Sequence, residues 1–305
     1  MGDGHGRVRT DVSGPRFFLY LPQLRMDVDA VVERAVAAEA AGFEGVAFMD
    51  HLAPPLAVTS PMYEALTLAT WVAARTSTLV VGHLVLCDAL RHPAVLARQC
   101  VTLDHASGGR FELGLGSGSV PDELVAYGVT TDGPTTRAER LEESLELLRA
   151  LWSGGPVVHH GRHFDVDCAG QQPTPLGRIP VVVGGASRRT AALAARLADW
   201  WNLPLTGLHR LDELRPLAGP VRVSTQHLVS FVAAGADREV VTSAARRRYG
   251  AMGSELLVGD GAELVATFGE LARRGVDRCY VWFGDFAPPA TLAAFGREVI
   301  APLSN

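Results

Sequence analysis

The run Val181-Val182-Val183-Gly184-Gly185-Ala186-Ser187-Arg188-Arg189-Thr190 joins β-branched residues, two glycines, a capping-type serine and the start of a helical pattern. Such an order suits an anion, above all a phosphate. Glycines let backbone N–H groups come close, the helix N-terminus offers free donors at the positive end of its dipole, and Arg188 or Arg189 adds charge. Gly184, Gly185, Ala186, Ser187 and Arg188 are therefore candidate phosphate contacts. An ordinary tight turn with a serine N-cap uses the same residues.

Gly114-Leu115-Gly116-Ser117-Gly118-Ser119 leads a strand into a turn poor in side chains, so a flat or bulky group can lie against Gly116, Ser117 and Gly118. It lacks the last glycine of GxGxxG and the serine position of a nucleophile elbow. A plain glycine turn is the other reading. Asp50-His51 follows the apolar run Gly45 to Met49. An imidazole at a strand's end can donate a hydrogen bond or trade a proton near neutral pH, which makes His51 the first catalytic candidate, with Asp50 orienting it or capping the next turn. A purely structural hydrogen bond is the alternative.

His83 interrupts an aliphatic run, and a polar group buried there needs a partner. His159, His160 and His163 lack a carboxylate or cysteine at a recognised ligand spacing, so no metal is expected. Trp200 and Trp201 are suited to stacking on a ring or filling the core. Arg246-Arg247-Arg248 reads as a solvated helix face.

Elements that could position these residues alternate in βα order. Strands are expected at Phe17 to Leu21, Gly45 to Met49, Leu79 to Leu86, Phe111 to Leu115, Val181 to Val183, Trp200 to Leu203, Gln226 to Val232 and Cys279 to Phe283. Helices are expected at Asp27 to Ala41, Met62 to Ala74, Pro93 to His105, Arg137 to Trp152, Arg188 to Ala198, Asp237 to Arg248 and Ala262 to Arg274, with Pro288 to Ile300 closing the ring. Gly42 suits a left-handed C′ position. Val157 to Pro175 breaks the rhythm and reads as an inserted hairpin or loop. Eight strands without a dinucleotide fingerprint in the first turn predict a single (β/α)8 TIM barrel over residues 16–305, preceded by a disordered leader, Met1 to Pro15.

The chain has 305 residues, 48% hydrophobic and 20% charged, which is enough apolar surface for a large core. A net charge of −5 without basic clusters argues against nucleic acid. No apolar run approaches the roughly 20 residues of a membrane span. Cys87, Cys100, Cys168 and Cys279 form no CxxC pair, which points to a cytoplasmic protein.

Asp50-His51, Arg91-His92-Pro93 with Leu96-Ala97, Thr102-Leu103-Asp104 through Gly116, and Gly184-Gly185 with Ala198-Asp199-Trp200-Trp201-Asn202 together resemble the bacterial-luciferase-like oxidoreductases, in particular the coenzyme F420 branch. The resemblance spans Phe17 to Pro302. It implies a third strand bulged at a non-proline cis peptide between His83 and Leu84, give or take a residue, with His83, Leu84 and Val85 beneath the central ring of the cofactor. It also places the cofactor phosphate over Gly184 to Arg188 and the turn Gly116 to Ser119 near its side chain or the substrate, which makes Ser119 a candidate substrate contact; Trp201, for its stacking ring, is the other. Sugar-phosphate dehydrogenases of this branch carry a glutamate acid where this chain has Ser119, which argues against sugar-phosphate oxidation.

The implied function is F420-dependent hydride transfer to or from a small or medium-sized organic substrate, at a C=C, C=N or C=O bond. An FMN-dependent monooxygenase using reduced flavin and oxygen is the first alternative, and a non-catalytic flavin-binding barrel the second. A homodimer and a flavin or F420 reductase as redox partner are further implications. Phe48, Met49, Pro54, Pro55 and Leu56 give the mouth an apolar character that fits a hydrophobic small molecule.

Overall fold

Eight parallel strand positions close into a ring in a computed structural model that describes residues 14–55 and 59–304. The strands are β1 Arg16–Tyr20, β2 Gly45–Phe48, β3 Val80–His83 with β4 Leu86–Cys87, β5 Leu113–Gly116, the hairpin β6 Val157–His160 and β7 Asp165–Cys168, β8 Val181–Gly184, β9 Trp200–Leu203, β10 Arg222–Phe231, β11 Leu256–Gly259 and β12 Arg278–Phe283. β1 pairs in parallel with β2 on one side and β12 on the other. The order then runs through β10, β9, β8, β5 and β4, and a parallel bridge between Val81 and Phe111 closes the ring. This is the expected barrel, with helices outside it.

Residue alternation builds two cores. Phe18, Tyr20, Ala47 and Tyr280 form the inner cluster, while Phe17, Leu19, Val46 and Phe48 face the helices. Helix Val28–Ala40 shows how the outer layer is held. Asp27 caps it through the Ala30 N–H, and Val31, Ala35 and Ala38 are fully buried. Gly42, at φ +89°, ends it as expected. Each buried aliphatic side chain of valine size contributes about 1.5–3 kcal/mol.

The barrel floor is polar. Arg278 is 3% exposed, donates to both carboxylate oxygens of Glu112 at 2.7 and 2.8 Å, and lies between the rings of Phe18 and Trp200 at 3.9 and 3.8 Å. The ion pair plugs the N-terminal end and leaves the C-terminal end as the accessible mouth.

The continuous strand expected from Leu79 to Leu86 is instead broken, because the backbone bulges at Leu84 and Val85 and the cis peptide falls between those two residues. That is one residue beyond the expected bond. β11, the short helix Pro121–Ala126 and the helical stretch between Leu205 and Ala218 were not expected. β11 pairs with the outer end of β10, whose first residues pair with β9. Within the expected leader, residues 1–13 lie outside the described residues. Gly14, however, donates its N–H to the Leu303 carbonyl at 2.8 Å, so it is tied to the C-terminal helix.

Candidate active site

The strand ends surround a cavity of about 430 Å³ at the C-terminal mouth. Tyr20 comes from β1, Asp50 and His51 from the segment after β2, Leu84, Val85, Leu86 and Cys87 from the bulge and β4, and Gly116 to Ser119 from the turn after β5. Gly184 ends β8, Gly185 and Ala186 form the turn after it and Thr190 lies in the first turn of the helix that follows, with Asn202 and Gln226 from β9 and β10.

Val85 explains the glycines around it. A Cβ on Gly116 would stand 2.7 Å from Val85 Cγ2, and one on Gly184 would stand 3.1 Å from Val85 Cγ1. On Gly114 a Cβ would fall 1.9 Å from the His83 carbonyl oxygen. Three glycines on two neighbouring strands therefore admit the bulge, and Leu84 and Val85 reach the cavity as an apolar platform.

Gly185 sits at φ +151°, where a Cβ would meet Thr190 Cγ2 at 2.8 Å. The turn is braced from behind: the Gly185 N–H donates to the Asn202 carbonyl at 3.0 Å, and the Trp201 indole N–H donates to the Gly185 carbonyl at 2.9 Å. Ser187 caps the following helix, Arg188–Leu197, by accepting from the Thr190 N–H. A side-chain-free cradle at the start of a ten-residue helix fits a phosphate.

His51 Nδ1 lies 2.7 Å from Oε2 of Glu123, and Oε1 of that carboxylate accepts the N–H groups of Leu52 and Ala53. Asp50 is committed elsewhere. Arg91 grips both its oxygens at 2.6 and 2.9 Å, and the Cys87 N–H donates to Oδ2 at 2.8 Å. Burial pushes the Cys87 thiol up to about 11, so it stands in the cavity wall as a thiol rather than a thiolate. Burial also raises the Tyr20 hydroxyl, against a hydrogen bond with Gln226, and keeps it protonated.

A protein-family model described as luciferase-like monooxygenase matches residues 7–273. The chain belongs to the luciferase-like monooxygenase family. An F420-dependent glucose-6-phosphate dehydrogenase of Nakamurella multipartita is 34% identical over 170 residues, 55% of this chain and 50% of that protein. An F420-dependent hydroxymycolic acid dehydrogenase of Mycobacterium tuberculosis is 37% identical over 175 residues, 57% of this chain and 48% of that one. The chain thus spans about half the length of the curated relatives it matches. In fold, an F420-dependent secondary alcohol dehydrogenase solved with an F420-acetone adduct superposes with a TM-score of 0.81 over 96% of this chain and 99% of that one, at 18% identity.

On this luciferase-like barrel, His51, Asp50, Leu84, Val85, Gly116, Ser117, Gly118, Ser119, Gly184, Gly185 and Ala186 all line the mouth. Four expected contacts do not. His83 is 1% exposed and points away from the cavity, between Phe48 and Phe111, with neither ring nitrogen hydrogen-bonded; burial pulls it down to about 4, so the ring stays neutral. Trp201 is fully buried outside the lining and braces the Gly184-Gly185 turn from behind. Ser187 and Arg188 are exposed beyond the lining, Ser187 spent on its helix cap and Arg188 lying 3.6 Å from Glu213. Asp50 lines the mouth but its oxygens hold Arg91 and the Cys87 backbone, and the carboxylate in contact with His51 is that of Glu123.

The histidines of the inserted hairpin pair locally, His159 with Glu143 and His160 with Asp165. Among the described residues no group of three or more His, Cys, Asp or Glu could hold a metal ion, and no helix is long and apolar enough to cross a membrane. Leu56, expected at the mouth, lies outside the described residues. Glu123, Asn202 and Thr190 are cavity residues that the sequence reading missed.

Proposed function

We propose that the protein is an F420-dependent oxidoreductase that moves a hydride between the deazaflavin and a small or medium-sized organic substrate at a C=C, C=N or C=O function. The observation that carries this reading is the convergence on one cavity of His51, the Leu84–Val85 platform and the Gly184-Gly185-Ala186 cradle. The F420-dependent relatives support the choice of cofactor.

Gly184 and Gly185 would leave space for the cofactor phosphate, and the backbone from Ala186 into the first turn of helix Arg188–Leu197 would hold it with N–H groups and the helix dipole, the Gly185 N–H being spent on the Asn202 carbonyl. Leu84 and Val85 would support its ring system, and Gly116 to Gly118 would leave room for the adjoining chain. When bound, the deazaflavin supplies the hydride chemistry. His51, anchored at Nδ1, would give or take a proton at the reacting oxygen, nitrogen or carbon of the substrate. Tyr20, held protonated, is a further hydrogen-bond donor in the wall.

An FMN-dependent monooxygenase is the second reading, favoured by the description of the matching family model. It predicts oxygen uptake coupled to substrate and a partner flavin reductase. A passive flavin-binding barrel would have no use for the paired His51 and Glu123 in its cavity. The F420 reading further takes residues 16–305 as one cytoplasmic domain, working as a homodimer and supplied by an F420 reductase. Its test is anaerobic turnover of oxidised F420 with a panel of alcohols, and of reduced F420 with ketones, imines and activated alkenes. Cofactor turnover without oxygen uptake supports it, whereas strict dependence on oxygen and FMN transfers the site to monooxygenation.

A further inference from the structure

Glu123 lies 72 residues from His51 in sequence, on the short helix Pro121–Ala126 that follows the glycine turn after β5. Its side chain is 10% exposed and that of His51 is 15% exposed. The carboxylate has three partners: Oε2 faces His51 Nδ1 at 2.7 Å, and Oε1 accepts the Leu52 and Ala53 N–H groups. An ionised carboxylate only accepts, so a neutral imidazole opposite it must carry its one proton on Nδ1. Asp50, the carboxylate next to His51 in sequence, does not compete, because Arg91 and the Cys87 N–H occupy its oxygens.

We propose that Glu123 is a positioning residue that locks His51 in the Nδ1–H tautomer and so reserves Nε2 as the ring's proton acceptor. The inference rests on the reading of His51 as the group that handles the proton. It ties the histidine after β2 to the turn after β5, so that the two walls of the mouth cannot move apart without releasing the ring. A purely structural Glu123 would cap the Leu52–Ala53 turn and have no bearing on the tautomer.

The substitution Glu123→Gln separates the two roles. Held by the same two backbone N–H groups, the Gln carbonyl oxygen would stay in the place of Oε1 and turn the amide NH2 toward His51. An NH2 group only donates, so Nδ1 must then be the bare nitrogen and the proton moves to Nε2. The readout is long-range 1H–15N correlation on the full chain labelled with 15N-histidine, without cofactor and above neutral pH, with His51 assigned from its loss in His51→Asn. The expected result is an Nδ1–H pattern in the wild type and an Nε2–H pattern in Glu123→Gln, while His159 and His227 are unmoved. An Nε2–H pattern in the wild type, or the same tautomer in both proteins, overturns the proposal.

Turnover then tests the reading beneath it. With His51 as the proton acceptor, Glu123→Gln lowers kcat by about 10²-fold or more at little-changed KM. A tautomer shift with full turnover leaves the placement of Glu123 standing and removes His51 from the chemistry.

Discussion

Replacing Gly114 by alanine is the sharpest probe of how the barrel makes room for its bulge. The new methyl group would lie 1.9 Å from the His83 carbonyl oxygen, 2.9 Å from the His83 carbonyl carbon and 3.2 Å from Val85 Cγ1. Ordinary non-bonded contacts need about 3.5–4.0 Å, so β5 and the bulge must part by more than about 1 Å. The atom in the way is backbone, which no rotamer change relieves. Overpacking of a core costs about 1–3 kcal/mol, and this case belongs at the upper end. At about 2 °C per kcal/mol for a chain of this length, Tm falls by roughly 6 °C. Gly116→Ala meets only Val85 Cγ2, the end of a side chain, and should cost about half as much. Gly177→Ala, with nothing within 4 Å, is the control. Scanning calorimetry of the three variants decides the matter: a Gly114→Ala protein that melts with the Gly177→Ala control would refute the packing argument.

Other consequences follow from the same geometry. His51→Ala should lower turnover by about 10²–10⁴-fold while leaving cofactor affinity nearly intact, and full activity would remove the imidazole from the mechanism. Glu112→Leu strands the Arg278 charge on the barrel floor and should cost about 3–5 kcal/mol in urea unfolding; the double variant with Arg278→Met should recover most of the loss. His83 and His227 are both pulled down to about 4 by burial, below the ordinary imidazole value of about 6.5. The unfolded chain therefore binds more protons than the folded one between those values. Their contribution to stability is complete above pH 6.5 and is lost as the pH falls toward 4. Melting temperatures measured across that window should decline, and His83→Leu should flatten the decline; a flat wild-type profile would contradict it.

The sequence carried much of this barrel and less of its site. Trp200 to Leu203 has the expected bounds because a short apolar run between a helix pattern and Pro204 admits few alternatives. The glycine cradle and His51 were also readable, since a strand, a turn residue and a helix cap are local signals. The break at Leu84 and Val85 was invisible to periodicity, because Leu79 to Leu86 is apolar whether straight or bulged; only the family resemblance pointed to it. Side-chain direction was the next loss. His83 and Trp201 sit beside cavity residues in sequence, but alternation along the strand turns them away from the mouth. Glu123 and Arg91 were missed for a different reason, since their partners are 72 and 41 residues away and meet only when the barrel closes.

Parallel equilibrium titrations of the wild type and Gly185→Val with F420 and with FMN test the central claim most directly. In the variant the side chain would crowd Thr190, where even a Cβ stands 2.8 Å from Cγ2. The account predicts tight F420 binding, weaker FMN binding and loss of F420 affinity in Gly185→Val. Preference for FMN, or an affinity for F420 that Gly185→Val leaves unchanged, would contradict it.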